Sequence, residues 1–142
     1  MADPKLSRGY LNKNPGNIDY NERNRWQGQV GIEARGRFAV FSEHRWGIRA
    51  IAVLLITYQD RYGCDTVAKL IGRWAPPGEN DTKAYVAAVA RAVGVEPRDQ
   101  VDLHTWQHLR PLVQAIITHE CGGNPYTAAE IDAGVKLAGV VP

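Results

Sequence analysis

The stretch Ala115-Ile116-Ile117-Thr118-His119-Glu120-Cys121-Gly122-Gly123-Asn124-Pro125-Tyr126 reads as an apolar helix that ends on a carboxylate and then breaks sharply. Glu120 has apolar turns behind it, the negative end of a helix dipole beside it and a glycine turn in front. The apolar surroundings and the dipole favour the protonated acid, and the turn exposes it. A carboxyl group that keeps its proton near neutral pH suits glycoside cleavage, because the leaving-group oxygen must be protonated as the bond breaks. Glu120 is therefore the candidate general acid. The plainer alternative is a solvated acid at a helix end, a placement that the macrodipole opposes.

Glycosidases commonly add a second carboxylate. Glu33, in a turn-flanked hairpin pattern, and Glu43, just past it, are the candidates, with an ordinary surface charge as the alternative for each. Glu79 is a candidate for orienting substrate. Trp26, Tyr85 and Tyr126 are candidates for stacking on sugar faces, and Asn14 or Asn17 for hydrogen-bonding an N-acetyl group. Aromatics and asparagines serve as often in cores and turns.

Two rival chemistries fit less well. His104 and His108 stand four apart, a spacing that can grip zinc on a helix, with His119-Glu120 available to join them. Thr105, Trp106 and Gln107 fill the gap, so the glutamate of a metalloprotease helix is missing, and no metal or other cofactor is expected. Cys121 near His119 raises the prospect of a thiol nucleophile, but residues two apart on a helix point in different directions and cannot share a proton.

The elements that must hold these groups follow from punctuation and periodicity. Asn14-Pro15-Gly16-Asn17 is a turn. Trp26 to Glu33 and Arg37 to Phe41 alternate in period two around Ala34-Arg35-Gly36, which predicts a β-hairpin. From Gly47 to Tyr62, Ile48, Ile51, Leu54, Leu55 and Tyr58 recur at three and four, predicting an amphipathic helix stopped at Gly63. Asp65 is placed to cap a helix through Val67, Leu70, Ile71 and Trp74, ended by Pro76-Pro77. Asn80 or Asp81 caps Thr82 to Val93, with Gly94 at the stop. Another helix starts around Thr105, takes in Pro111 and ends at Glu120, and Thr127-Ala128-Ala129-Glu130 is a capping box for a last short helix.

With 142 residues, 44% hydrophobic and 23% charged, the chain is expected to form one domain, α+β and mainly α. Its formal charge of +2 comes from interspersed signs, which argues against a nucleic-acid patch and suits an anionic polymer such as cell wall. No window reaches the roughly 18 apolar residues of a membrane span, and Met1-Ala2-Asp3-Pro4-Lys5 does not lead into a signal-peptide core. The expectation is a soluble monomer made in a bacterial cytoplasm, in which Cys64 and Cys121 stay thiols.

Glu120-Cys121-Gly122-Gly123-Asn124-Pro125-Tyr126 resembles the catalytic-glutamate signature of lysozyme-like lytic transglycosylases, and Pro77 to Val86 resembles their Glu-Thr-Arg and Tyr-Val segment. In those enzymes the tyrosine lies near the catalytic acid, a place the resemblance implies for Tyr85. Asn17-Ile18, Trp26-Gln27-Gly28, Phe38-Ala39-Val40-Phe41 and the helix from Gly47 resemble the β-lobe of flagellar-type glucosaminidases. The glutamate helix comes first in those families and near the C-terminus here, which implies a circular permutation. The resemblance, over about Arg8 to Leu137, implies a lysozyme-like domain with a β-hairpin lobe at 18–45 and a helical lobe at 47–138. It further implies a phage or prophage wall-degrading protein that cleaves the β-1,4 glycan of peptidoglycan and reaches the wall through a holin-like pore or on a virion. A β-N-acetylglucosaminidase and a non-enzymatic virion or wall-binding protein are the alternatives.

Overall fold

A computed structural model describes residues 2–78 and 81–142. The described residues form six α-helices and one two-stranded antiparallel sheet, the mainly helical α+β class expected from the sequence. After a 3-10 turn at Pro4–Leu6 come α1 (Arg8–Leu11), β1 (Gln29–Ile32), β2 (Ala39–Phe41) and α2 (His44–Tyr62). Then follow α3 (Val67–Trp74), α4 (Thr82–Val93), α5 (Trp106–Cys121) and α6 (Ala128–Leu137). Among the described residues no helix is long and apolar enough to cross a membrane.

The core is built on α2 and α5. Ile48, Ile51 and Leu55 of α2 and Leu112, Val113, Ile116 and Ile117 of α5 are buried. Helix α6 packs along α2, while α3, α4 and α5 pack in succession. The contact of α6 with α2 needs a residue without a side chain, because a Cβ at Gly134 would come within 2.4 Å of Ile48.

Helix ends follow local capping chemistry. Left-handed Gly63, Gly94 and Gly122 close α2, α4 and α5. Asp81 caps α4, and Thr127 and Glu130 form the capping box of α6. Thr66, rather than the expected Asp65, caps α3: Thr66 is the extended residue directly before the helix and its hydroxyl accepts from Lys69 N at 3.1 Å. The Asp65 carboxylate instead takes Gln100 Nε2 at 3.0 Å. Helix α2 starts three residues before the predicted Gly47, and α5 runs unbroken through Pro111 to Cys121, one residue past Glu120. The hairpin strands are shorter than the alternation suggested, since Gln29 N bonds to Trp26 O in a turn before β1 begins.

The loop ahead of the hairpin is fixed from within. Asn14 is fully buried, its Nδ2 donating to Ile18 O and Ala39 O at 2.9 Å each and its Oδ1 accepting from Ile18 N at 3.0 Å. Asn14 O accepts from Asn17 N at 3.0 Å, closing the turn predicted at 14–17. This loop lies against α2, where a Cβ on Gly47 would sit 2.0 Å from Lys13 O, so the sequence has glycine there. Asn14 was a candidate for binding an N-acetyl group. The structure corrects that reading: its amide is spent on backbone and out of reach of any ligand. Replacing Asn14 by Ala takes the side-chain partner from Ile18 N and Ala39 O, while Ile18 O keeps Ala39 N, and is expected to lower unfolding free energy by about 2 kcal/mol in urea denaturation. A loss below about 0.5 kcal/mol, the level of a neutral surface change, would contradict this role.

Candidate active site

Glu120 sits in the last turn of α5, half-buried, and its two oxygens are held separately. Asn17 Nδ2 donates to Oε1 at 3.0 Å, and the Tyr85 hydroxyl donates to Oε2 at 2.8 Å. Asn17 reaches the acid from the N-terminal loop in a left-handed conformation, φ 50°, which asparagine tolerates better than most residues. Tyr85 reaches it from the buried face of α4. Burial, then the charge and hydrogen bond of Glu120, push the Tyr85 phenol far above its ordinary range, so it stays a donor. The exposed His119 ring stacks on Tyr85, 3.6 Å between centroids.

This carboxylate opens on a cleft of about 850 Å³. Asp19, Trp26, Arg37 and Phe38 line it from the loop and hairpin, and Leu54, Tyr58, Arg73 and Trp74 line it from α2 and α3. Aromatic Trp26, Phe38, Tyr58 and Trp74 alternate there with polar Asn17, Asn21, Asn24, Arg37 and Arg73, the faces and hydrogen-bonding groups that a glycan can use.

The structure brings together four of the residues singled out from the sequence, Glu120, Asn17, Tyr85 and Trp26, but it corrects two of their roles: Tyr85 is fully buried and so cannot stack on a sugar, and the Asn17 amide is given to Glu120 rather than to an N-acetyl group. Among the described residues it does not bring Asn14, Glu33, Glu43 or Tyr126 to the site. Glu33 is committed to a staple between α1 and the hairpin: Arg8 Nε at 2.8 Å, Asn12 Nδ2 at 3.1 Å and Phe38 N at 2.8 Å all donate to it, and Arg8 Nη2 pairs with Oε2. The Arg8 hydrogen bonds, with those of Phe38 and Asn12, lower its pKa to about 2. Glu43 accepts from Arg45 Nη2 at 2.8 Å and Trp46 Nε1 at 3.1 Å, beside a separate hollow with His44 and Lys13. Neither carboxylate lines the Glu120 cleft. Tyr126 is buried against Tyr10 and His44, its hydroxyl hydrogen-bonded to His44 Nδ1 at 2.8 Å, so it packs rather than stacks on sugar. Glu79 lies outside the described residues.

The rival constellations come apart as well. His104 precedes α5 rather than lying on it and pairs with Asp60 at 2.8 Å, while His108 Nδ1 accepts from Asp102 N at 3.0 Å. Cys121 is buried, its thiol pushed up by desolvation and directed at Pro15 O, and Cys64 is likewise a buried free thiol. Several cleft residues, among them Asp19, Arg37, Arg73 and Trp74, were not singled out for the site in the sequence. Asp19, a second carboxylate among the described residues of the cleft, is paired with Arg37 at 2.8 Å, and Arg73 and Trp74 end α3. No spacing in the chain announced them, because only tertiary packing carries α3 to the hairpin.

Fold and site together define a small, mainly helical protein with a clamped acid at the edge of an aromatic cleft. The chain belongs to the family of Protein P5 from Pseudoalteromonas phage PM2: the two are 35% identical over 134 residues, spanning 93% of this chain and 82% of that protein. No protein-family model matches the chain.

The Glu33 staple has a testable pH signature. Its folded pKa is lowered from 4.5 to about 2, so on acidification the unfolded state takes up this proton first. The contribution is complete above pH 4.5 and is lost as pH falls toward about 2. Denaturation midpoints followed from neutral to acid pH should fall less steeply through that window for Glu33→Gln than for the wild type; parallel curves would rule the staple out.

Proposed function

We propose that the protein cleaves the β-1,4 bond between N-acetylmuramic acid and N-acetylglucosamine in peptidoglycan, with Glu120 as general acid and then base. The observation that carries this reading is a carboxyl group at the end of an apolar helix, held by two neutral donors and opening on an aromatic-walled cleft. Glu120 gives its proton to the glycosidic oxygen as the bond to the anomeric carbon breaks. The acetamido oxygen of the same sugar closes on that carbon, so a separate protein nucleophile is unnecessary. The Glu120 carboxylate then takes a proton from water as the water oxygen bonds the anomeric carbon and displaces the acetamido oxygen, giving a hydrolysed product, or from the sugar's own hydroxyl as that oxygen makes the same displacement, giving an anhydro product. Trp26 supplies an apolar face for a sugar ring, and Tyr85 and Asn17 keep the carboxyl aimed. The protein acts as a monomer, reaching the wall through a holin-like pore or on a virion.

A second reading is a virion or wall-binding protein without catalysis. It is favoured by the commitment of carboxylates elsewhere: Asp19 is paired with Arg37, and Glu33 and Glu43 are engaged away from the cleft. Glu120→Gln separates the two. Glutamine can accept from Asn17 and donate to Tyr85, so the clamp persists without a titratable proton. Release of reducing ends or anhydro-muropeptides from purified murein should drop about 10²- to 10⁴-fold, with folding intact by circular dichroism. Undiminished release by the Gln variant would remove Glu120 as the acid, and binding without release by the wild type would establish the non-catalytic reading.

A further inference from the structure

Two arginines line the Glu120 cleft, and they are held differently. Arg37 is tied to Asp19 at 2.8 Å. Arg73, exposed in the last turn of α3, lies over Tyr62 with its guanidinium carbon 3.6 Å from the ring centroid, and 5.2 Å from that of Tyr58. Among the described residues Arg73 forms no ion pair.

Stacking occupies the face of a guanidinium and leaves its N–H donors, which lie in the plane, directed outward. A planar fork resting on a ring, without an ion pair among the described residues, can meet a carboxylate in bidentate geometry and loses little freedom on binding it. The negative end of the α3 dipole would attract any cation at this position, lysine included. Stacking on Tyr62 accounts for the planar cation in particular, and the place of Arg73 on the cleft accounts for where its donors are useful. Beside it, Trp74 and Tyr58 meet edge to face at 6.4 Å and extend the apolar surface on which a sugar can rest.

Resting on the glycan-cleft reading above, we propose that Arg73 is a carboxylate-binding fork that makes the cleft selective for acid-bearing glycans over neutral ones of the same backbone. The carboxylate is either the free lactyl group of a muramic residue or an acid on an attached peptide stem. These share one chemistry and differ in position.

Calorimetric titration of the full-length Glu120→Gln protein, which binds without turnover, distinguishes the sources. The ligands are muramyl glycan strands with stems removed, the same strands with stems attached, and a neutral N-acetylglucosamine oligomer of equal length. At least one acid-bearing ligand should bind roughly tenfold or more tightly than the neutral one, the worth of one charge-assisted bidentate contact. That preference should shrink as salt is raised. Adding Arg73→Gln should bring the ratio of affinities close to one, and Arg73→Lys should restore only part of it, because a point charge lacks the fork. Preference for stem-free strands identifies the lactyl acid, and preference for stem-bearing strands alone identifies the peptide acid. A ratio unmoved by Arg73→Gln, a neutral preference, or binding of none of the three overturns the proposal. Turnover by the protein with Glu120 intact is scored separately. Selective binding without cleavage ends the glycosidase reading and leaves the fork, whereas cleavage with an unchanged ratio ends the fork and leaves the glycosidase.

Discussion

A half-buried carboxylate must find hydrogen bonds or lose more free energy than a small domain can spare. Glu120 finds them in two residues far away in the chain: Asn17, 103 positions before it, and Tyr85, 35 positions before it. Each oxygen takes one donor, so the carboxyl can turn only by giving up a bond. The N-terminal loop, α4 and α5 must therefore all be in place before the site exists. That requirement reaches back into the sequence, to the buried Asn14 that fixes the loop and to Gly47, whose missing side chain lets the loop lie on α2.

The two best-held glutamates show how environment separates roles within one small protein. Glu33 faces a guanidinium and two further donors and is kept charged, which suits a staple joining α1 to the hairpin. Glu120 has a phenol and an amide as partners, neither of which carries charge, and it opens on the cleft. Desolvation of Tyr85 keeps the phenol protonated, so the donor that orients Glu120 does not switch off at any ordinary pH. His119, stacked on the outer face of Tyr85, adds to the packing that holds the ring. Rigidity of this kind is what a proton donor needs, because transfer depends on reach as well as acidity.

The helices were legible because their apolar residues repeat at three and four and their ends carry glycine, proline or a capping side chain. The cap of α3 was placed one residue early, on Asp65, because local backbone geometry, which composition does not reveal, makes Thr66 the extended residue before the helix. The 3-10 turn and α1 escaped notice because elements of three and four residues have no periodicity to read. At the site, Glu120 stood out as a carboxylate at a helix end and Asn17 as a turn residue, whereas Tyr85 was placed near the acid only by a resemblance and not by its position on a helix face. Residue type misled at Asn14, Tyr126 and Glu33, whose polar atoms are bonded within the protein, and at Glu43, an exposed carboxylate bonded to Arg45 and Trp46. Asp19, Arg37, Arg73 and Trp74 were not singled out for the site for the opposite reason: each looks ordinary in the chain and matters only because the loop, the hairpin and α3 line one cleft.

A crystal structure of the protein with a bound muramyl oligosaccharide tests the role of the clamped acid most directly. The glycan should lie in the Glu120 cleft with a glycosidic oxygen roughly 2.6 to 3.2 Å from the carboxyl group. Asn17 and Tyr85 should remain on its two oxygens. A glycan seated elsewhere, for instance on the α4 and α5 surface near Ala92 and Gln114, or one whose glycosidic oxygens all lie beyond reach of Glu120, would remove the chemistry assigned to this residue.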